Sequence, residues 1–386
     1  VRILTTHVGS LPRPPDLLQL IQAREQGNGA GAPAGFRDRV RSAVRESVRR
    51  QAELGIDVVA DGEMGRTSFV GYAHERLGGV EPTGERAVAG VWMGSREAQE
   101  FPDFYRQAAE ERVATVPSSP RMACTGPLTY RGQEQLAADI ANLRGALEGL
   151  DVAEAFIPAI SPVDLETGLQ NRYYPDQEAF LFALADAMHD EYRGIVDAGF
   201  VLQVDDPRLV TYYAFQPQLS IEECRKWAAL RVEVINHALR DIPREMVRFH
   251  TCYSINVGPR VYDLELRDIV DIMLRIRAGA FSFEAANPRH DHEWRVWKDA
   301  GLPDDVLLIP GVITQSSVLV EHPQLVADRL ERFASVVGRE RVIAGADCGF
   351  ASVAGSPEIP PAVAWRKLES LVEGARIATR SLWGSS

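Results

Sequence analysis

The chain has 386 residues, 45% hydrophobic and 25% charged, a composition ordinary for a globular protein with a sizeable core. Its formal net charge of −12 argues against general nucleic-acid binding and against docking on an anionic membrane surface. Four cysteines (Cys124, Cys224, Cys252, Cys348) do not make a disulfide framework in a chain this long, and no apolar run approaches the roughly 20 residues that span a bilayer.

The opening stretch, VRILTTHVGSLPRP, has neither the charged nor the apolar region of a secretory signal, so a cytoplasmic location is expected. Within it ILTTHVGS reads as a strand, halted by Pro12, Pro14 and Pro15. Residues 27–35, GNGAGAPAG, are an exposed flexible loop by composition. Residues 36–55 then space Val40, Val44, Val48 and Leu54 as a helix does, with Gly55 as C-cap. A second strand, IDVVADGE, ends in Asp61, Gly62 and Glu63. Residues 64–120 are rich in Gly, Glu and aromatics and read as an irregular insertion covering something.

RMACTGPLT (residues 121–129) is the third strand, followed by a helix over ADIANLRGALEGL and an accessory segment, AFIPAISP. A long helix begins after Tyr173 and delivers FVLQVDDP, a strand ending in Asp205 and Asp206. The helix SIEECRKWAALRVEVINHALRDI, with a serine at its start, precedes the strand VRFHTCYS. LRDIVDIMLRIRAG leads to AFSFEAAN, LLIPGVIT follows, and PQLVADRLERFASVVG leads to RVIAGADCG and a last helix near residues 361–379. Eight strand candidates alternating with helices predict an α/β fold, a (β/α)8 TIM barrel forming one domain over 1–386, with the insertion at about 64–120. A doubly wound open sheet is the alternative, but no G-x-G-x-x-G opens a helix.

Reactive side chains gather at the strand ends, where such a barrel places its chemistry. His250 and Cys252, two apart, leave an extended segment on one side, Glu284 closes FSFE, and Cys348 sits in VIAGADCG. Four possible ligands thus come from three strand ends. A lone His-x-Cys is a weak pattern, since a buried Cys is more often a small hydrophobe; repetition at strand ends gives it weight. Glu63 and Asp205 fit substrate binding or proton handling, against the plainer reading of rim carboxylates tied to amides or arginines. His290 and His292, in NPRHDHEW, form a His-x-His that reads as a second metal site or, more plainly, as a polar loop near the mouth from which one could donate a catalytic proton, and His7 is either a core or a rim residue. Cys124, Cys224, Trp294 and Trp297 read as packing residues.

HVGSLPRP, DGEMGR, QVDDP, HTC, the glutamate of SFEAAN and DCGF occur in the order found in the catalytic domain of cobalamin-independent methionine synthase, which the chain resembles from Thr6 to about Ser352. SFEAANPRHDHEW and PGVITQSSVLVEHPQLVADRL look closer to the short branch that includes epoxyalkane:coenzyme M transferase. The resemblance implies a TIM barrel with one zinc ion at its C-terminal mouth, held by His250, Cys252, Glu284 and Cys348. It also implies that Ser10, Glu63 and Asp205 occupy positions that hold homocysteine in the synthase. Ser316, within Thr314-Gln315-Ser316-Ser317, stands where the synthase has a proposed proton-donating histidine, and is taken as substrate-binding. Asp205-Asp206-Pro207-Arg208 replaces the synthase's Asp-Glu-Pro-Ala, and the second barrel of the full-length synthase is lacking, which disfavours a folate polyglutamate donor.

The expected function is a zinc-dependent transferase that activates a small thiol as zinc-thiolate for alkylation, by S-methyl transfer or by opening an epoxide. The incoming thiol is expected to displace Glu284, the least suited ligand. Alternatives are a C–S lyase on the same site, a metal-free decarboxylase of the uroporphyrinogen type, and a structural zinc or thiol binder. The alkyl source is a folate, a corrinoid protein or a free small molecule, and fold analogy allows a monomer or a homo-oligomer.

Overall fold

Short apolar runs, each handing the chain to an amphipathic helix, set the architecture. The computed structural model describes residues 2–26, 32–88, 92–116, 118–253 and 257–384; residues 27–31 of the expected glycine-rich loop and Ser254 of VRFHTCYS lie outside them. Its strands are β1 (Val58–Ala60), β2 (Leu77–Ala87), β3 (Ser119–Tyr130), β4 (Glu154–Ile160), β5 (Leu169–Asn171), β6 (Val201–Asp205), β7 (Val247–Thr251), β8 (Ala280–Phe283), β9 (Leu307–Ile313) and β10 (Gly345–Ala346). Seven of them form one curled parallel sheet in the order β1-β4-β6-β7-β8-β9-β10, and β2, β3 and β5 form a second, smaller sheet. The N-terminal segment touches both edges of the large sheet through parallel bridges, Thr6 to Val58 and Thr5 to Ala344.

Local sequence explains the joints. Helix Phe36–Leu54 buries Val40, Val44 and Val48 and ends at Gly55, whose φ of 93° suits glycine and whose N–H returns to Gln51 and Ala52. Asp57 then receives the Arg2 guanidinium and the Thr5 N–H (2.9 Å), pinning the first residues beside β1. Helix Ile221–Ala238 starts on a capping box made by Ser220 and Glu223. Outward side chains such as Phe283 pack on the helical layer, 4.8 Å from Trp297 and 5.8 Å from Phe333 between ring centroids. The opposite face of the strands carries polar groups. Buried Arg248 donates to Gln203 (2.6 Å), Thr6 Oγ1 (3.0 Å) and the His7 carbonyl (2.5 Å), and lies 3.6 Å over the Phe156 ring.

Three expectations need correcting. The segment AFIPAISP is β4, inside the large sheet between β1 and β6, while RMACTGPLT belongs to β3 in the smaller sheet. Residues 64–120 are not irregular: they include β2 and helices Gly71–Glu75, Arg96–Glu100 and Pro102–Thr115. LRDIVDIMLRIRAG forms only a 3-10 turn, Leu266–Asp268, and one helical turn, Val270–Met273. Among the described residues no helix is long and apolar enough to cross a membrane.

Candidate metal centre and substrate cavity

Strand register decides which side chains meet. β6, β7 and β8 pair so that Asp205 lies opposite His250, and His250 opposite Ser282. The buried His250 ring places Nδ1 3.0 Å from Ser282 Oγ, while Nε2 is buried with no partner. Burial, reinforced by the charge of Arg248, lowers its pKa from 6.5 to about 3, so the ring is neutral. A neutral ring that donates Nδ1–H to Ser282 leaves the Nε2 lone pair free for a ligand.

Cys252 lies just past β7 and Cys348 just past β10; both thiols are free and buried, with their sulfurs 3.3 Å apart. One donor atom from each of His250, Cys252 and Cys348 lies within 4.8 Å of the other two. Its hydrogen bond with Cys252, together with burial, holds the Cys348 thiol well above its ordinary pKa. Two buried sulfurs that close cannot both ionise without a cation, and a soft divalent ion would supply one. Two thiolates on one tetrahedral zinc stand roughly 3.8 Å apart, so only a small opening of the pair is needed. The donor set fits zinc.

Beside this cluster Glu63 occupies a left-handed backbone (φ 56°), fixed by the Asp61 side chain accepting from its N–H (2.9 Å) and by Arg13 donating to its carbonyl (2.8 Å). Gly9 makes room for it, since a Cβ there would lie 2.9 Å from Glu63 Oε1. Burial raises the Glu63 pKa, and its Oε2 has no partner. Asp205 Oδ1 accepts from Gln203 (2.7 Å); burial, then the charge of Glu63, raises its pKa well above the carboxylate range. Ser10, Glu63, Asp205, His250, Cys252 and Cys348 all line one narrow cavity of about 40 Å³, alongside Phe69 and Ser352. A wider surface groove near Arg208, Tyr212 and Trp227 contains none of them. The donor cluster therefore places the candidate site in the smaller cavity.

The remaining predicted site residues lie elsewhere. Glu284 is outside the donor cluster: Oε1 accepts from the Tyr253 N–H, and Oε2 from Arg260 and Asn287, each at 2.8 Å. His290 does not line the cavity; it is buried between Asp263 (3.1 Å) and Glu293 (2.7 Å) and stacked on Tyr253. His292 is exposed at the start of the turn Glu293–Lys298. Ser316 also stands off the cavity lining, its N–H bonded to Thr314 and its Oγ buried without a partner. His7 is a core residue, 2.8 Å from Gln51, with its pKa lowered by burial to about 4.

Sequence reasoning missed the residues that hold the site. Gln203 and Arg248 precede Asp205 and His250 by two positions, so the strand period alone puts them on the same face. Asp347, next to Cys348, accepts from the N–H groups of Ala285, Ala286 and Asn287 and fixes the loop that carries Glu284.

The family model described as the catalytic domain of cobalamin-independent synthase matches residues 3–100 and 169–366. The chain belongs to this family. It is 26% identical over 381 residues to a methionine synthase of Thermococcus kodakarensis, covering 98% of this chain and 94% of that protein. It is likewise 26% identical over 383 residues to a methionine synthase of Sulfolobus acidocaldarius, covering 98% and 93%. In fold it is similar to the B12-independent methionine synthase of Shewanella sp. W3-18-1 solved with selenomethionine, with a TM-score of 0.72, 19% identity and both chains covered in full. A second family structure, described as a putative vitamin-B12 independent methionine synthase of Listeria monocytogenes, gives a TM-score of 0.67 at 20% identity, again over both whole chains.

Proposed function

We propose that the chain is a zinc-dependent methyltransferase acting on the sulfur of a small amino-acid thiol, with homocysteine as the first candidate. The carrying observation is one cavity lined both by a His250, Cys252 and Cys348 donor cluster with an unpartnered imidazole nitrogen and by the carboxyls of Glu63 and Asp205. Family membership supports methyl transfer; it gives no support to an epoxide electrophile or a metal-free decarboxylation. A corrinoid partner likewise lacks support beside relatives described as B12-independent. In this reading the fold is a closed (β/α)8 barrel whose eighth strand is the segment around Thr5 and Thr6, one domain with an insertion near 64–120, in a cytoplasmic protein.

Zinc held by His250, Cys252 and Cys348 would supply a thiol kept deprotonated and nucleophilic at neutral pH. The chain's own residues do the rest. Ser282 holds His250 in the tautomer that offers Nε2. Burial disfavours the charged forms of Glu63 and Asp205, and a substrate ammonium would favour them, so the pair would hold and orient that ammonium by charge-assisted hydrogen bonds. Gln203 occupies Asp205 Oδ1 and leaves the other oxygen to the ligand. The narrow cavity keeps water from the sulfur.

Elemental mass spectrometry on the parent and on Cys348→Ser tests the metal, and methyl transfer to homocysteine tests the substrate. About one zinc per parent chain and a clear loss in the variant are expected. A reconstituted parent that binds no zinc sinks the mechanism; zinc binding without homocysteine turnover redirects the search to other thiols.

A further inference from the structure

Glu284 stands apart from the other three predicted ligands because protein groups already hold it. The charged one among these is Arg260, whose side chain is 5% exposed and whose Nη1 is buried with no partner, so it has a donor to spare. Arg260 is itself placed under strain: its φ of 57° is a left-handed conformation that a residue with a Cβ adopts only when its surroundings enforce it. The enforcement comes from Glu97, buried on helix Arg96–Glu100, between β2 and β3. Glu97 Oε2 accepts from the Arg260 N–H (3.1 Å), and Oε1 from the Tyr262 N–H (2.7 Å). Asp263, itself bonded to His290, takes Arg260 Nε at 2.8 Å and completes the clamp.

We propose that Arg260, clamped by Glu97, is a positioning residue that competes with the bound metal for Glu284 and so keeps one coordination position exchangeable for the substrate thiol. The inference rests on the zinc reading above. A carboxylate is the hardest donor in a set otherwise made of sulfur and imidazole, so it is the ligand most easily drawn away. A buried guanidinium, in a medium that screens charge poorly, is a strong rival for the same oxygens. Without Arg260 the carboxylate turns to the metal; zinc is held more tightly and an incoming thiol finds its position occupied. An arginine that merely presents Glu284 to the metal predicts the opposite sign.

The test uses the full chain, as parent, Arg260→Gln and Glu97→Gln. Zinc affinity is measured by chelator competition with no thiol present, and cobalt-substituted protein is titrated with L-homocysteine by its sulfur-to-cobalt absorption. Arg260→Gln should bind zinc about tenfold or more tightly, the scale on which neighbours of metal ligands act, and should need correspondingly more homocysteine to develop the band. Glu97→Gln should move both readouts in the same direction by less. It carries the test alone if Arg260→Gln does not fold. Unchanged or weaker zinc binding in the folded variants overturns the proposal. A parent that binds zinc but shows no response to homocysteine overturns the substrate assignment while the zinc affinities still decide the role of Arg260. A parent that binds no zinc overturns both.

Discussion

The ion cluster behind Glu284 should make stability fall with rising pH in a range where ordinary carboxylates no longer titrate. Burial alone would lower the pKa of His290, but hydrogen bonds to Asp263 and Glu293, with the charges of Glu293 and Glu284, raise it from 6.5 to about 9. A group raised on folding contributes fully below its unfolded pKa of 6.5 and loses that contribution as pH climbs through about 9. At about 1.36 kcal/mol per pKa unit the contribution is on the order of 3 kcal/mol. His290→Gln keeps a polar side chain of similar reach and removes the titration. Unfolding free energies of parent and variant, measured in urea from about pH 6 to about pH 10, should differ most at the acid end, and the gap should shrink by roughly that amount toward the alkaline end. Tyrosine, lysine and cysteine titrations common to both proteins cancel in the difference. A gap independent of pH would mean that His290 is neutral in the fold, and the reasoning would fail.

Gly349→Ala would put a Cβ 2.0 Å from Ser10 Oγ, so Ser10 must move. An overpacking cost of roughly 1–3 kcal/mol should lower Tm, and KM should suffer more than kcat; an unshifted Tm refutes the close approach. Asp347→Ala would strip the acceptor from three buried N–H groups, each worth about 1–3 kcal/mol when left unpaired, and should lower both Tm and the zinc retained after dialysis. Glu63→Gln and Asp205→Asn should raise KM for an amino thiol while metal content stays at the parent level; the effect should vanish for a thiol without the amino group. Chelation should lower Tm in proportion to the logarithm of free zinc removed, and a Tm indifferent to zinc counts against a buried, tightly coupled site.

Much of the barrel-like order was legible because parallel strands and their helices leave repeating patterns, and the errors have physical causes. The accessory reading of AFIPAISP failed at β4: Pro158 in its middle removes a ladder donor, yet its run of five buried residues is what a strand covered on both faces looks like. RMACTGPLT, with mixed exposure along β3, suits a sheet exposed on one side. At the site, strand-end positions pointed to His250, Cys252, Cys348, Glu63 and Asp205, and the family resemblance to Ser10; all six line one cavity. The fates of Glu284 and His290 were not legible. Arg260 and Asp263, which claim them, lie in a stretch whose helical spacing begins only later, and the Glu97 that places Arg260 is more than 150 positions away.

The bridges from Thr5 and Thr6 to both edges of the sheet also bear on how the molecule is made. During synthesis the segment that joins those edges leaves the ribosome more than 300 residues before Ala344 does. Arg13, which holds the Ala351 carbonyl, spans 338 positions in the same way. Until the late strands arrive, the early sheet has open edges that can template association with other chains, so slow folding and a demand for chaperones are built into this topology. Because the contacts of Ser10 with Phe350 and Ala351 form across the same seam, the candidate cavity can be completed only after those later residues have arrived.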